Sequence, residues 1–420
     1  MTAPAHRERF TEAEKRAMRR ALALAARGRG LVSPNPAVGA VLLDGERIVA
    51  EGHHRRFGGP HAEAALLDQL EGGPPVRPSA VLLVTLEPCS HKGKTAPCVD
   101  RLLASPIRRF VVATSDPNPL VSGRGIRALR ADGREVRVGL EEDRARGLNL
   151  PFFLAQREGR AMVTLKIAST LDGKVADRGG GSRWITSPAS RALVSRLRSH
   201  ADAIVIGHGT ARRDDPRLVV HGDPRRTPTR ILLDSRLASD PDLKLARLWR
   251  RQVAGRTGDA SSPDRRGNWI QVEDRAAGPA LRWRFEPRLI AVGAEPTAAR
   301  IRSFRRAGWE VWLLPDRSGR RVDLARLGRA AARAGLLDLL VEGGPRLSAA
   351  FLEDGPLDRL LLFLAPRVLG PGLGWSDACP PREISASRTL VAAAPPRRIG
   401  GGDLLLDLVP GGPVRSRATG

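Results

Sequence analysis

Three side chains able to bind a transition metal stand in short proline-led fragments of this chain. His61 lies in Pro60-His61-Ala62-Glu63, and the two cysteines lie in Pro88-Cys89 and Pro97-Cys98. One imidazole and two thiolates make a three-ligand set for zinc and leave a fourth tetrahedral position for water, whereas structural zinc sites close all four positions with protein groups. Glu63, two residues after the histidine, is the expected proton carrier for water activated at such a centre. Residues two apart on a helix do not share a face. His61 and Glu63 can therefore serve one metal only if His61 sits at the helix entry, which Pro60 favours. His91, between the cysteines, is a further candidate ligand, but a fourth protein ligand would remove the reactive water; a substrate or loop role is expected for it instead.

Taken singly, these residues have ordinary readings: a histidine before a helix is usually a capping or packing residue, and buried cysteines behave as small hydrophobes. The combination is more specific, because each fragment falls where a strand gives way to a helix. Thr11-Glu12-Ala13-Glu14 is a capping box opening a helix that runs to Gly28 and Gly30. Residues 37–43 and 47–50 are expected strands joined by an Asp44-Gly45 turn. Helices are expected at 61–70, 98–104 and 125–131, and strands at 80–86, 107–114 and 135–138. Such alternation predicts a sheet sandwiched by helices. Residues 141–160 are charged and irregular in pattern, and the domain boundary is placed there, giving a first domain over 1–148 and a second over 160–410. The second domain repeats the alternation, with strands at 162–169, 203–207, 230–234, 288–292, 310–314, 337–341 and 360–365, and helices at 188–199, 297–307, 322–334 and 345–352. Between 238 and 286 the pattern degrades, and this stretch reads as a mobile surface insertion; the last ten residues are expected to fray.

The bulk properties narrow the partners. The formal charge of +25 invites a nucleic-acid reading. Nearly all of it is arginine scattered over every segment, however, without the interleaved aromatic residues that a single-strand stacking platform needs. Anionic small molecules are the expected beneficiaries of local basic sites, with no nucleic acid and no membrane. No apolar run approaches the roughly 20 residues of a membrane span, and the opening Met-Thr-Ala-Pro-Ala-His-Arg-Glu-Arg-Phe lacks the apolar core of a signal peptide. Three cysteines, two of them committed to the metal, make no disulfide framework, so a cytoplasmic setting is expected; no role is assigned to Cys379.

H-x-E followed by P-C-x-x-C is a signature of zinc deaminases, and this chain departs from it by spacing its cysteines with residues 90–97. With that departure, the first half resembles the deaminase domain of the bifunctional riboflavin-biosynthesis (RibD) family. The residues that carry the likeness are Ser33-Pro34-Asn35-Pro36-Ala37-Val38-Gly39, Gly59-Pro60-His61-Ala62-Glu63, and Thr85-Leu86-Glu87-Pro88-Cys89-Ser90-His91-Lys92-Gly93-Lys94-Thr95-Ala96-Pro97-Cys98. Asp116-Pro117-Asn118-Pro119 and Gly123-Arg124-Gly125 extend it. The resemblance implies a cytidine-deaminase-like α/β/α sandwich in which His61, Cys89 and Cys98 hold Zn2+, Glu63 shuttles protons and Asn35 contacts the pyrimidine.

In the second half no G-x-G-x-x-G follows a strand. Val341-Glu342-Gly343-Gly344-Pro345 instead ends a strand in two glycines and opens a helix with proline, a turn able to offer backbone N–H groups to phosphate. Polar clusters stand just past other strands: Lys166 to Lys174, Ser182 to Pro188, Gly209 to Pro216, and Asp234-Ser235. Each alone reads as a turn. In this order they resemble the reductase domain of the same family, which is similar to dihydrofolate reductase; the likeness is good over 161–235 and 336–370. It implies a second α/β domain using NADPH, with the cofactor touching Ala168, Trp184, Thr210, Asp214, Ser235, and Gly344, Pro345, Arg346, Leu347, Ser348, Ala349 and Ala350. Substrate would meet Ser182, Arg198, Leu218, His221 and Glu342, with Lys166 near the reacting ring. Where the family commonly reads Asp-Pro-x-Leu-Thr-x-Arg, this chain has Asp215-Pro216-Arg217-Leu218-Val219-Val220-His221, so His221, or Arg217 or Arg225, would have to meet the substrate phosphate.

The expected function is therefore bifunctional. The first step is zinc-dependent hydrolytic deamination of 2,5-diamino-6-ribosylamino-4(3H)-pyrimidinone 5′-phosphate; the second is NADPH reduction of the ribosyl group of the resulting 5-amino-6-(5-phosphoribosylamino)uracil to ribityl. The protein supplies alignment and charge placement in the second step, and a homo-oligomer is expected from the resemblance. Two readings compete: a nucleic-acid base deaminase with a basic C-terminal binding module, and a deaminase whose reductase-like domain does not turn over.

Overall fold

A computed structural model describes residues 10–411 apart from 74, 91–96, 120, 219, 221–226, 255–287, 382 and 384–386. The chain forms two compact units, Met1–Gly159 and Arg160–Gly420. His91, His221, Arg225, the greater part of the expected insertion and the terminal residues 412–420 lie outside the described residues.

In the first unit, strands β1 (Gly39–Asp44), β2 (Arg47–His53), β3 (Val81–Val84), β4 (Arg109–Val112) and β5 (Glu135–Val138) form a sheet in the order β2-β1-β3-β4-β5. β1 is antiparallel to both β2 and β3, and β3, β4 and β5 run parallel. Alternate residues of the apolar strands feed two cores, as the two-residue strand period demands. Ala40, Leu42, Leu82, Val84, Phe110 and Val112 face α2 (Ala62–Leu67), α3 (Cys98–Ala104) and α4 (Arg124–Ala131). Val41, Leu43, Val81, Leu83 and Val111 face α1 (Glu12–Ala26) and α5 (Glu142–Leu148). The capping box of α1 is formed: Glu14 N–H donates to Thr11 Oγ1 at 3.1 Å, and Thr11 N–H donates to Glu14 at 2.9 Å.

The charged stretch 141–160 is not irregular. It contains α5 and α6 (Leu150–Glu158), with Ala145, Phe152 and Phe153 buried. Periodicity was hidden because each helix is short and buries only one or two residues. Asn149, at their junction, exchanges hydrogen bonds with the Ala37 backbone at 2.8 and 2.9 Å, which pins this junction beside β1.

The second unit is built on one larger sheet of mixed direction, β11-β10-β9-β8-β12-β6-β13-β17-β15. Its strands are β6 (Met162–Thr170), β8 (Ala203–Gly207), β9 (Thr229–Leu233), β10 (Leu289–Gly293), β11 (Glu310–Leu313), β12 (Asp338–Glu342), β13 (Arg359–Ala365), β15 (Leu390–Ala392) and β17 (Leu404–Pro410), while β16 (Arg397–Arg398) pairs with β17. From β11 to β13 the neighbours are parallel; β17 and β15 add antiparallel. A small ribbon pairs β7 (Lys174–Asp177) with β14 (Gly372–Gly374). One face packs on α11 (Leu324–Arg333) and α12 (Pro345–Glu353). The other packs on α8 (His208–Asp214), α9 (Lys244–Ala254) and α10 (Ala298–Arg306), with α7 (Pro188–His200) over β13 and β17.

Helix α9 corrects the expectation that the chain is a mobile insertion from residue 238. Leu243, Leu245 and Ala246 are buried against Leu232, Phe304 and Trp309, so ordered structure extends through 254. Arginine-rich composition on the exposed face concealed that apolar anchor.

Gly52 illustrates how tightly this frame constrains the metal ligands. A Cβ there would overlap the Ala62 carbonyl oxygen and lie 2.7 Å from Leu66 N, so β2 touches the backbone of the helix that follows His61. Gly52→Ala is expected to cost about 1–3 kcal/mol through overpacking and to push α2 away from the sheet. Thermal unfolding beside zinc content per chain checks it; the variant should melt lower and hold less metal.

Candidate active sites

The first site assembles where three segments leave the sheet. After β2 the chain crosses to α2, whose N-cap is His61 in extended conformation (φ −70°, ψ 167°), so the imidazole stands at the helix entry and Glu63 one turn position inside. Cys89 follows β3, and Cys98 is the first residue of α3 behind Pro97. Cys89 Sγ lies 3.5 Å and Cys98 Sγ 3.3 Å from His61 Nδ1, and the three donor atoms lie within 4.8 Å of one another. A tetrahedral zinc with Zn–N about 2.05 Å and Zn–S about 2.3 Å requires N···S edges of about 3.6 Å. The observed separations match those edges, and imidazole with two thiolates is a donor set zinc favours; the residues fit the ion.

Electrostatics agree with that geometry. Glu63 is only 3% exposed, and burial, followed by the charge of Cys89, pushes its carboxyl up to about 7. The Cys89 thiol is drawn down to about 4, first by a hydrogen bond from the Cys98 thiol and, against its burial, by the His61 ring. Cys98, which donates that bond and is itself buried, moves up. A bound divalent cation would deprotonate both sulfurs.

Three residues not assigned roles from sequence complete the site. His54 is 2% exposed; its Nδ1 lies 2.9 Å from the Pro60 carbonyl and its Nε2 3.2 Å from Asn35 Nδ2. Nδ1–H donates to Pro60, and Asn35 donates to Nε2, which ties the Asn35 amide to a ring whose centroid is 5.2 Å from that of His61. Glu87 accepts four backbone N–H groups: Asp116 and Gly123 at 3.1 and 2.9 Å on one oxygen, Gly125 and Ile126 at 2.9 and 3.3 Å on the other. A carboxylate two residues before Cys89 thus caps α4 and clamps the loop that carries Asp116. Burial, then the charges of Glu87 and Cys89, raises the Asp116 carboxyl to about 6. A polar residue in an apolar strand end was the available signal for Glu87; its partners, about thirty residues on, were not legible.

The second site is a cleft of about 2190 Å3 at the C-terminal ends of the parallel strands of the larger sheet. Ligand pockets for one small molecule occupy about 300–1,000 Å3, so this cleft has room for two. Lys166, Ala168, Ser182, Trp184, Arg198, Thr210, Asp214, Leu218, Ser235, Glu342, Gly344, Pro345, Arg346, Leu347 and Ala350 all line it, as does Arg217. Ser348 and Ala349 do not. They are 1% and 5% exposed on the face of α12 turned into the core, because successive helix positions rotate through 100° and only part of the turn can face a cavity.

In the cleft Arg198 grips Glu342 through Nε and Nη2 at 2.6 and 2.8 Å, and Lys166 Nζ stands 3.8 Å from the same carboxylate. Despite its burial, Glu342 is held down at about 2 by Arg198 and then Lys166. Burial pulls Lys166 below its ordinary value, although Glu342 opposes this. Two residues beyond Glu342, Gly344 N–H donates to Thr210 Oγ1 at 3.3 Å, tying the helix-opening turn of α12 to α8.

Comparison with known proteins places this geometry. The profile described as RibD C-terminal domain matches residues 161–378, and that described as cytidine and deoxycytidylate deaminase zinc-binding region matches 11–114. Riboflavin biosynthesis protein RibD of Aquifex aeolicus is 37% identical over 367 residues, covering 87% of this chain and 90% of its own length. That of Escherichia coli is 34% identical, covering 84% and 88%. A Thermotoga maritima diaminohydroxyphosphoribosylaminopyrimidine deaminase/5-amino-6-(5-phosphoribosylamino)uracil reductase superposes with a TM-score of 0.75 at 30% identity, over 95% of this chain and 99% of that one. Acinetobacter baumannii RibD gives 0.77 at 28%, over 96% and 99%.

The Arg198–Glu342–Lys166 cluster carries a pH-dependent prediction. A carboxyl depressed to about 2 contributes stability that is present above its ordinary value of 4.5 and lost as pH falls toward 2. Glu342→Gln leaves two cations facing a neutral amide and should cost about 3 kcal/mol at neutral pH. Denaturant unfolding of both forms across that acid range should show the gap closing; a gap independent of pH would contradict the assignment.

Proposed function

The chain belongs to the RibD family of bifunctional riboflavin-biosynthesis enzymes, and from that premise we propose how its own residues divide the two reactions. It is a zinc-dependent deaminase and an NADPH-dependent reductase of riboflavin biosynthesis, acting on a small phosphorylated pyrimidine. The first reaction removes an amino group from 2,5-diamino-6-ribosylamino-4(3H)-pyrimidinone 5′-phosphate by hydrolysis. The second reduces the ribosyl group of 5-amino-6-(5-phosphoribosylamino)uracil to ribityl.

The observation that carries the deaminase assignment is the convergence of three donor atoms at tetrahedral-edge distances beside a buried carboxylate. His61, Cys89 and Cys98 would hold zinc, which supplies a Lewis acid that brings the pKa of a coordinated water to near 7. Glu63 takes one proton from the attacking water at its carboxylate and delivers it to the pyrimidine ring nitrogen; it then takes the second proton from the new hydroxyl and delivers it to the amino group, which leaves as ammonia as the carbonyl forms. A carboxyl whose pKa lies near neutrality is suited to both transfers. Asn35, held by His54, orients the pyrimidine.

In the second unit NADPH would supply the hydride. Ala168, Trp184, Thr210, Asp214, Ser235 and the turn from Gly344 to Ala350 bind the cofactor; Ser182, Arg198, Leu218 and Glu342 bind substrate, with His221 or Arg217 toward its phosphate. Ser348 and Ala349 contribute through the packing of α12 rather than by side-chain contact. Lys166 places a cation beside the reacting ribosyl carbon, and Glu342 fixes where that cation sits. Among the described residues no helix is long and apolar enough to cross a membrane. A cytoplasmic homo-oligomer without a nucleic-acid partner completes the reading; sedimentation and salt-dependent RNA retention test those two points.

Glu63→Gln keeps the size and position of the side chain but cannot carry the proton. It should retain zinc while ammonia release falls by about 10²–10⁴-fold, with NADPH oxidation on the deaminated intermediate unchanged. Metal analysis beside the two assays decides; retained deamination removes Glu63 from its role, and absence of zinc in the wild type removes the site.

A further inference from the structure

Parallel strands β8 and β9 end side by side, Gly207 opposite Leu233, so the next residues of each stand together at the cleft. They are His208, which opens α8, and Asp234-Ser235. His208 and Ser235 both line the cleft. Asp234 does not: it is 4% exposed and lies behind them. His208 Nδ1 is 3.0 Å from Asp234 Oδ2 and 2.7 Å from Ser239 Oγ. Asp234 Oδ2 also accepts the Ser239 N–H and hydroxyl, each at 2.7 Å. The Ser239 turn is anchored in its own right, since Arg300 from α10 donates to the Ser239 carbonyl and, at 2.6 Å, to that of Leu237.

This arrangement fixes the imidazole. Nδ1–H donates toward the carboxylate, so Nε2 is the ring atom left for the cleft. Against a bound phosphate, an imidazolium held in this way would present Nε2–H as a second donor. Asp234 remains an acceptor, because the Ser239 hydroxyl and N–H, with His208, hold its carboxyl below the ordinary value in spite of burial. A charged donor beside a serine hydroxyl, at the ends of two parallel strands, is matched by a dianionic phosphate monoester.

We propose that His208, oriented by Asp234 and Ser239, recognises with Ser235 the phosphate monoester on the adenosine ribose of NADPH, and so makes the reductase unit prefer NADPH over NADH. The inference rests on the reading of this cleft as the cofactor site and adds its discriminating residue. Thr210 and Asp214 lie on the same short helix as His208, and Ser235 on the neighbouring strand end, so the group is continuous with the rest of the proposed cofactor wall. The substrate cluster of Arg198, Glu342 and Lys166 belongs to other elements, α7, β12 and β6. Ser235 alone would give a neutral hydroxyl contact; His208 adds the charge that a phosphate monoester repays and a bare ribose hydroxyl does not.

The test uses full-length chain and two soluble probes, adenosine 2′,5′-bisphosphate and adenosine 5′-monophosphate, titrated by calorimetry, so that binding is read apart from turnover. Wild type should bind the bisphosphate more tightly. His208→Gln should weaken the bisphosphate by about tenfold or more, the range for a hydrogen bond to a charged group, and leave the monophosphate within about twofold. His208→Arg, which keeps a cationic donor, should restore the preference. Ser239→Ala, which loosens the imidazole without removing it, should fall between. In turnover, the Gln variant should raise KM for NADPH with kcat and KM for NADH little changed. Equal weakening of both probes would place His208 on a phosphate common to them and overturn the proposal, as would no weakening of either. A wild type without preference for the bisphosphate would overturn the cofactor reading of the cleft as well, so failure of the inference and failure of its premise give different results.

Discussion

Two thiols and a carboxylic acid are packed around one imidazole in the first unit, Glu63 and Cys98 buried and His61 and Cys89 half-buried, and that crowding governs the unit around it. Burial, then the charge of Cys89, moves Glu63 up to about 7, while the hydrogen bond between the two sulfurs draws Cys89 down and moves Cys98 up. A divalent cation resolves the conflict by taking both sulfurs as thiolates. The protein must then keep three separate chain segments in register to within a few tenths of an ångström. It does so with rigid parts: an N-cap residue, a strand end and the first residue of a helix carry the ligands, and Gly52 brings β2 against the backbone of α2. Glu87 extends the same principle outward, because its two oxygens hold the loop at Asp116 and the start of α4 to the segment that bears Cys89.

The second unit solves a different problem with the same geometry. Parallel strands all end on one side, so polar residues far apart in sequence arrive at a common cleft without any one segment carrying a complete motif. Its charges are arranged by mutual compensation rather than by a metal. Arg198 and Lys166 keep Glu342 ionised, and Glu342 in turn sets the position of both cations. Two cations therefore share one buried carboxylate, which leaves the cluster with a net positive charge.

Legibility in the sequence followed the range of the interactions. The capping box at Thr11 and the strand cores are local, and they were readable from a few consecutive residues; so was the placement of His61 at a helix entry, from the conflict between a two-residue spacing and helical geometry. Helices α5 and α6 were not, because their apolar contacts are few and their charges many. Helix α9 was hidden by arginine on its outer face although Leu243, Leu245 and Ala246 anchor it. The strands β15, β16 and β17 were not read from sequence; β17 is held by pairing with β13, and β15 and β16 by pairing with β17. The resemblance located most of the second cleft, but it placed Ser348 and Ala349 there as part of a continuous turn, where helical rotation buries their side chains.

The absence of a glycine-rich dinucleotide fingerprint from the second unit follows from how this cleft is built. In that fingerprint one loop supplies the turn, the close approach and the helix dipole together. Here Gly344 spends its N–H on Thr210 Oγ1, so the turn is braced by α8 before any ligand arrives. Side chains from several separate segments, Thr210, Ser235 and Arg346 among them, line the cleft instead. Side chains are free to vary between relatives in a way that backbone N–H groups are not. A cleft of this kind can therefore keep its fold and its reaction while the residue that reads the cofactor's extra phosphate differs from chain to chain.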